Sequence, residues 1–214
     1  LGYSRYVAQG GDWGSAVTSA MALHKPEGLA AIHLNMLVAG PSPEQAANPT
    51  PEEAESMQRM QKWSASERGY SEEQSTKPQT LGYSLVDSPV GQALWIYEKF
   101  RTWTDRGGID SPADAFSLDH ILDNITLYWL TASGASSARM YWESLNKWPQ
   151  GQTDVPLAYS DFPGEIVRGV RSWAENRYAN IIHWNTLEKG GHFAAWEQPA
   201  LFVNEMRAAF ASLR

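Results

Sequence analysis

The segment that most constrains the fold of this chain is residues 10–14, GGDWG, close to its start. An apolar run at residues 6–9 precedes it and predicts a short buried strand, and the small, apolar residues 15–23 that follow predict a helix packed on a sheet. A strand, a sharp turn and a helix in this order are typical of a nucleophile elbow, Gly-x-nucleophile-x-Gly. Its flanking glycines keep a Cβ from colliding with the neighbouring strand and helix. The alternative is an ordinary Gly-Gly-Asp turn in which Asp12 caps the helix.

Strand and helix patterns alternate in the rest of the chain around a long helical stretch. Further strands are predicted at residues 29–37, 155–159 and 180–184. Helices are predicted between them at residues 52–65, 88–104, 117–133 and 135–145, without a strand-like run. The fold class is therefore α/β, a mostly parallel sheet flanked by helices that carries an all-helical cap insertion. The sheet part is placed at residues 1–40 and 151–214, and the cap at 41–150.

Composition limits the possible partners. The chain has 214 residues, 43% of them hydrophobic and 19% charged, which suits one globular domain or a domain with an insertion. Its net charge of -7 without a basic run argues against nucleic acid or an anionic membrane surface and favours a small neutral substrate. The absence of cysteine excludes disulfides, thiolate metal sites and a catalytic thiol. No stretch predicts a membrane span or signal peptide, which favours the cytoplasm but leaves the compartment open.

An aspartate nucleophile needs a histidine base and an orienting acid, which in hydrolases with this elbow follow in the order nucleophile, acid, histidine. His192 stands in a glycine-rich segment, GGHF, just after the last predicted strand, where its ring can project over the carboxyl ends of the strands. Glu165 follows the penultimate strand and can reach the far nitrogen of His192, with Asp161 as a nearby alternative. The histidines at positions 24, 33, 120 and 183 are predicted to be structural or at the surface.

The aspartate at the usual serine position determines the type of reaction. An aspartate that attacks a saturated carbon forms an ester, which a histidine-activated water can hydrolyse, whereas a serine would form a stable ether. The predicted substrate is therefore an epoxide or an alkyl halide. Epoxide opening also places negative charge on oxygen, and tyrosine hydroxyls of the insertion could donate hydrogen bonds there. The nine tyrosines cannot be distinguished by spacing alone.

Five motifs in one order carry a resemblance that covers nearly the whole chain. They are GGDWGS at residues 10–15, TKPQT at 76–80, DSPVG at 87–91, FPGE at 162–165 and GGHFAAWEQP at 190–199. Together they resemble the microsomal-type epoxide hydrolase family of the α/β-hydrolase fold. The resemblance implies conversion of an epoxide to a vicinal diol through an aspartyl ester, with water as the second substrate and without a metal or organic cofactor.

The resemblance also implies roles for individual residues. Asp12 matches the family's nucleophile, His192 its base and Glu165 its orienting acid, 27 residues before the histidine. Tyr70, in a Gly-Tyr pair before the TKPQT motif, matches one ring-opening tyrosine. Tyr141, in an Arg-Met-Tyr stretch after the third predicted helix of the insertion, matches the other.

Two other functions stay open from the residues. A haloalkane or haloacid dehalogenase of the same fold shares the aspartate and histidine but binds halide through indole or amide donors, and Trp13 could supply one. In the epoxide hydrolase resemblance the backbone N–H of Trp13 instead belongs to the oxyanion hole. The other alternative is a catalytically silent protein of this fold that binds a hydrophobic ligand, which the intact triad argues against.

The chain begins with Leu1 and reaches the predicted elbow strand almost at once. Relatives in the resembled family carry several strands and a second oxyanion turn before the elbow, so we expect an N-terminally truncated fragment. Without inner strands the elbow strand would be an unpaired hydrophobic edge. We therefore expect the isolated 214 residues to be inactive or poorly soluble, and diol formation from styrene oxide would contradict this.

Overall fold

A parallel sheet lies in the first of two compact units of the computed structural model, which describes residues 2–105, 111–145 and 147–213. Within these residues the strands are β1 (Tyr6–Gly10), β2 (Leu29–Leu34), β3 (Leu157–Asp161) and β4 (Ile181–Thr186), in the order β1-β2-β3-β4. All neighbouring pairs are parallel. The predicted α/β class with a mostly parallel sheet is confirmed.

The predicted strands differ from the observed ones mainly at β1 and β2. β2 ends at Leu34, three residues before the predicted end. Tyr6 and Val7 of β1 are 36% and 41% exposed, so the expectation of a buried strand is wrong for these residues. The reason is that β1 lies at an edge of the sheet, where β2 is its pairing partner among the described strands.

Helices account for most of the remaining described residues. They are α1 (Trp13–His24), α2 (Pro43–Ala47), α3 (Pro51–Ser66), α4 (Gly69–Thr76), α5 (Pro78–Asp87), α6 (Pro89–Trp103), α7 (Leu118–Leu130), α8 (Gly134–Ser144), α9 (Arg171–Glu175), α10 (Ala194–Glu197) and α11 (Pro199–Ala209). Short 3-10 turns lie at Pro112–Asp114 and Ala211–Leu213. None of these described helices combines the length and apolar character needed to cross a membrane.

The two compact units are Leu1–Gln61 with Pro149–Arg214, which holds the sheet, and Lys62–Trp148, which is helical. The boundary falls inside α3, whereas the sequence places it near residue 41. Hydrogen bonds explain the difference, because the first part of α3 is tied to the chain after β3. Ser56 Oγ donates to the carbonyl oxygen of Arg168 at 3.0 Å, and Ser172 Oγ donates to Glu53 Oε1 at 2.6 Å.

The inner strands β2 and β3 are covered on both faces, which explains their apolar character. On one face Ile32, Leu34, Leu157 and Tyr159 pack with residues of α1 and α9 in one buried cluster. On the other face Ala31 and Ala158 pack under the end of the chain, against Ala209 and Phe210. Because the strands are parallel, the carboxyl ends of β1, β3 and β4 lie at the same edge of the sheet.

A buried polar network crosses the α11 face of the sheet. His33 Nε2 and Ser160 Oγ lie 2.9 Å apart, and the same hydroxyl lies 2.9 Å from Glu205 Oε2. His183 Nε2 lies 3.1 Å from that oxygen, and Asn185 Nδ2 donates to Glu205 Oε1 at 2.9 Å. Burial first, and the nearby His183 second, lower the pKa of His33 to about 3, so its imidazole is neutral. His33 and His183 thus lie in the packing of the sheet, as the sequence predicts.

In the helical unit, α5 and α8 approach each other closely where both carry small residues. A Cβ on Gly82 of α5 would lie 2.5 Å from the Cβ of Ala135 in α8. A Cβ on Gly134 would lie 2.9 Å from the Cβ of Leu85. Glycine at these positions therefore permits α5 and α8 to pack closely. The helices predicted from the sequence include neither α4 nor α5. The residues of α4 are mostly polar and lack an apolar stripe, whereas α5 carries apolar residues four positions apart, at Leu81 and Leu85.

Candidate active site

Asp12 lies on the turn between β1 and α1, in a backbone conformation that is rare outside glycine. Its φ is 48° and its ψ is -126°, which costs on the order of 1–3 kcal/mol and persists only where neighbouring structure holds it. Ser15 holds this turn, because its amide donates to the carbonyl oxygen of Asp12 and its hydroxyl to that of Gly10, both at 2.9 Å. The Asp12 side chain makes no capping hydrogen bond to α1. The structure therefore has the strained elbow rather than a side-chain N-cap.

The steric argument for the elbow glycines holds for one of them. A Cβ on Gly10 would lie 2.1 Å from the carbonyl oxygen of Gly14 and 2.5 Å from Thr18 Oγ1. A Cβ on Gly14 would meet no heavy atom of the described residues within 4 Å. The expectation that both flanking glycines prevent a collision is therefore wrong for Gly14, which lies inside α1 and faces open space.

We predict opposite results for alanine at these two glycines. Gly10→Ala should reduce the free energy of unfolding by about 1–3 kcal/mol, as overpacking does, because backbone atoms occupy the space. Gly14→Ala should leave it unchanged or raise it by up to about 1 kcal/mol, since alanine favours the helix. Urea unfolding of the two variants and the parent measures the difference. Equal losses in both variants would contradict the structure.

Two loops, after β3 and after β4, bring Glu165 and His192 to Asp12. His192 Nδ1 lies 2.6 Å from Glu165 Oε1, and His192 Nε2 lies 3.1 Å from Asp12 Oδ2. The loops are also joined to each other, because the amide of Gly164 donates to the carbonyl oxygen of Gly190 at 2.9 Å. Gly190 has a φ of 110°, which favours glycine. The structure thus places all three predicted polar residues in one chain of contacts.

Burial and charge act in opposite directions on the His192 imidazole. Its side chain is 5% exposed, and that of Glu165 is fully buried. Burial alone lowers the pKa of His192, but the charge of Glu165 and the hydrogen bonds to Asp12 and Glu165 outweigh it and raise the pKa to about 10. The resting imidazole is therefore protonated at neutral pH, and both of its nitrogens donate.

The raised pKa of His192 predicts a pH-dependent stability. The folded state holds the proton more tightly than the unfolded chain does. The stability that the protonated His192 contributes to the fold is therefore complete below about pH 6.5 and is lost as the pH rises through about 10. Glu165→Gln removes the largest charge that raises this pKa. We expect the loss of unfolding free energy in Glu165→Gln to be larger at pH 6 than at pH 10.

Urea unfolding at several pH values checks this expectation, with Glu188→Gln as the control. Glu188 is an exposed glutamate in the loop after β4. Its replacement should change the unfolding free energy by a similar small amount at every pH. A Glu165→Gln difference that is the same at pH 6 and pH 10 would contradict the coupling between the two side chains.

Asp161, the alternative orienting acid, is paired with Arg168. Arg168 Nε donates to Asp161 Oδ2 at 3.0 Å, and Arg168 Nη2 donates to the same oxygen. The Asp161 side chain is 3% exposed and that of Arg168 is 28% exposed. This ion pair joins the two ends of the loop that carries Glu165. The geometry therefore gives Glu165, and not Asp161, the contact with His192.

An open cavity of about 440 Å³ adjoins Asp12 and His192. Its apolar lining comes from Phe193, Ala194, Ala195, Trp196 and Phe202, and its polar lining includes Gln9 and Asn35. Gln9 Nε2 donates to Asn35 Oδ1 at 2.8 Å. Such a size and lining suit a small apolar ligand. Sequence reasoning missed both residues. Gln9 ends the first predicted strand, whereas Asn35 lies inside the second predicted strand and directly follows β2 only in the structure.

In the helical unit, Tyr70 of α4 and Tyr141 of α8 lie side by side. Their ring centroids are 5.7 Å apart and their planes make an angle of 76°, an edge-to-face arrangement. Trp103 packs on Tyr70 in the same way at 5.3 Å. The helical unit thus brings together the two tyrosines that the resemblance selects. Among the described residues of the whole chain, no group of three or more His, Asp or Glu side chains is arranged to bind a metal ion.

The fold and this elbow define an α/β-hydrolase with an aspartate at the elbow position. No protein-family model matches the chain. A protein of Stigmatella aurantiaca (strain DW4/3-1) named "Putative epoxide hydrolase" is 50% identical over 215 residues, which cover 100% of this chain and 48% of that protein. Epoxide hydrolase 1 of Sus scrofa is 35% identical over 234 residues, which cover 97% of this chain and 51% of that protein.

Solved structures agree with these sequence relatives. The crystal structure of juvenile hormone epoxide hydrolase from the silkworm Bombyx mori matches with a TM-score of 0.85 and 32% identity, over 99% of this chain and 55% of that chain. The chain is therefore similar over nearly its whole length to proteins named epoxide hydrolase, and the predicted resemblance to epoxide hydrolases is confirmed. It spans about half the length of the curated relatives it matches.

Proposed function

We propose that the chain carries the catalytic triad of an epoxide hydrolase, which converts a small apolar epoxide and water into a vicinal diol without a metal or organic cofactor. The observation that carries the proposal is the chain of contacts from Asp12 to His192 to Glu165, at 3.1 and 2.6 Å, with the aspartate on a strained elbow. Sequence similarity supports the proposal, because the relatives that match nearly the whole chain carry the name epoxide hydrolase.

In the first displacement Asp12 is the nucleophile. Its side chain is 39% exposed and lines the open cavity, so an epoxide carbon can approach the carboxylate. An Asp12 oxygen attacks that carbon, the ring C–O bond breaks and an alkyl ester forms. Tyr70 and Tyr141 donate hydrogen bonds to the oxygen that leaves the carbon, and one of them gives it a proton.

In the second displacement His192 is the base. Ester formation removes the negative charge of Asp12, which is one of the groups that raise the pKa of His192, so the neutral imidazole becomes available. His192 then takes a proton from a water that attacks the carboxyl carbon of the ester. Glu165 fixes the orientation of the imidazole, and the backbone N–H of Trp13 stabilises the oxyanion. The diol leaves, and Asp12 keeps an oxygen from the water.

Turnover in water labelled with oxygen-18 tests the proposal. The protein is incubated with styrene oxide and, separately, with a chloroalkane, and the products and the Asp12 peptide are analysed by mass spectrometry. If the triad is catalytic, diol forms from the epoxide and label enters Asp12 after several turnovers, because the oxygen of water enters the carboxylate. This result would also contradict the inactivity that the sequence predicts for the isolated 214 residues. Asp12→Ala should form no diol. Asp154→Asn, whose side chain is 74% exposed, is the matched control and should retain activity.

The other outcomes separate the alternative functions. Alcohol from the chloroalkane, with label in Asp12 but without diol from the epoxide, would indicate a dehalogenase. No product and no label would leave two interpretations, a protein that only binds a hydrophobic ligand and the inactive fragment that the sequence predicts.

A further inference from the structure

Lys99 of α6 lies over the face of the Tyr70 ring. Its Nζ is 4.4 Å from the ring centroid of Tyr70 and 5.2 Å from that of Trp103. These distances are those of a cation–π interaction. Tyr70 is also the ring that contacts Tyr141 edge to face. The ammonium therefore lies on one member of the tyrosine pair, within the same compact unit.

The position of the Lys99 side chain differs from that of an ordinary surface lysine. It is 12% exposed, whereas its carboxylate partner Glu98, at 2.9 Å, is 55% exposed. An ammonium loses hydration when it is covered in this way, and lysines are seldom covered without compensating partners. The faces of Tyr70 and Trp103 supply that compensation, since the exposed carboxylate of Glu98 is screened by water.

A cation on the face of a phenol acts on its hydroxyl group. It attracts electron density from the ring and so polarises the O–H bond, which strengthens the hydroxyl as a hydrogen-bond donor. The cation also stabilises the phenolate that remains after a proton has left. Both effects increase as the epoxide oxygen becomes negative, so they stabilise the transition state more than the bound substrate.

We propose that Lys99 is a positioning residue for Tyr70, whose hydroxyl it activates so that Tyr70 is the tyrosine that gives its proton to the epoxide oxygen. The proposal rests on the proposed function. In the first displacement the ring C–O bond breaks, the Asp12–carbon bond forms and the Tyr70 proton moves to the oxygen. The phenolate of Tyr70 is then held by the Lys99 charge. In the second displacement one proton of the water passes to His192 and the other to the oxygen that leaves the ester carbon. The His192 proton then reaches the Tyr70 phenolate through solvent, so the cycle is balanced.

Rapid-quench measurement of Asp12 ester formation with styrene oxide tests this inference. Lys99→Met keeps most of the aliphatic stem but removes the charge, and it should form the ester about tenfold more slowly, as expected for a buried cation–π pair. Lys99→Arg retains a cation and should stay within a few-fold of the parent. Hydrolysis of the ester, which uses His192, should be unchanged in both variants. Lys77→Met, at an exposed lysine of the same unit, is the control.

A spectroscopic titration measures the effect on Tyr70 without turnover. Ultraviolet absorbance reports phenolate formation, and the difference between the parent and Tyr70→Phe isolates the Tyr70 signal. We expect the midpoint of that signal to move to higher pH in Lys99→Met and not in Lys77→Met. Thermal unfolding of each variant distinguishes a loss of packing from a loss of charge.

Two kinetic results would overturn the inference. One is ester formation at the parent rate in Lys99→Met. The other is an equal loss of rate in Lys99→Met and Lys99→Arg that follows a loss of thermal stability. If the parent protein itself forms no ester, the proposed function fails. In that case the Tyr70 titration still tests the role of Lys99. If the pH midpoint of the Tyr70 signal is the same in Lys99→Met and in the parent, Lys99 does not act on the phenol.

Discussion

Replacement of His192 by glutamine is expected to leave the protein with an alkylated Asp12. The first displacement needs the Asp12 carboxylate, whereas the second needs a base to take a proton from water. Glutamine can fill part of the imidazole space but cannot take that proton at neutral pH. We expect ester hydrolysis to slow by about 10²- to 10⁴-fold, the usual contribution of a general base, while ester formation continues.

Intact-mass spectrometry after brief exposure to styrene oxide measures this effect. His192→Gln should gain the mass of one epoxide, located on the Asp12 peptide, while the parent protein shows little of this species at steady state. His24→Gln is the matched control, because His24 is an exposed histidine at the end of α1. Full turnover by His192→Gln, or an adduct on a different peptide, would contradict the assigned roles.

Replacement of Arg168 by methionine should strongly destabilise the fold. It leaves the Asp161 carboxylate, 3% exposed, without the guanidinium that donates to it twice. Breaking a buried ion pair by removing one partner typically costs about 3–5 kcal/mol, because the other charge stays buried and uncompensated. Methionine retains the length and apolar character of the arginine stem, so most of this loss should come from the charge.

The double variant Asp161→Asn/Arg168→Met provides the internal test of that reasoning. With both charges removed, most of the lost unfolding free energy should return. Replacing a buried ion pair by two uncharged side chains often changes the unfolding free energy very little. Arg171→Met is the control, because the Arg171–Glu175 pair is about half exposed and its loss should cost well under about 1 kcal/mol. Guanidinium unfolding of the four proteins gives these differences. A double variant as unstable as Arg168→Met would show that the arginine stabilises through packing and not through Asp161.

The sheet could be predicted from the sequence because the period and length of its apolar runs are local properties. The meeting of Asp12, Glu165 and His192 could be predicted for a related reason, since parallel strands place their carboxyl ends at one edge of the sheet. The choice between Glu165 and Asp161 is different. Asp161 ends β3 and Glu165 lies in the loop after it, and the sequence selects Glu165 through the resemblance alone. The physical reason appears in three dimensions, where Asp161 pairs with Arg168 and Glu165 contacts His192.

The helical unit shows where local reasoning fails. α4 is polar and short, and the close approach of α5 to α8, where Gly82 meets Ala135, is a tertiary contact that no local pattern predicts. Spacing also could not select Tyr70 and Tyr141 among nine tyrosines, because their neighbourhood depends on the packing of α4 against α8. The contact of Lys99 with Tyr70 likewise joins residues 29 positions apart, so no local sequence pattern predicts it.

The bond between Gly164 and Gly190 has a mechanical consequence. It joins the loop of Glu165 to the loop of His192, so these two loops are connected twice, by this backbone bond and by the contact of the two side chains. Asp12 follows the other edge strand, β1, and contacts the imidazole through Nε2. A displacement of β1 would therefore change the distance between Asp12 Oδ2 and His192 Nε2 and leave the contact between His192 and Glu165 in place.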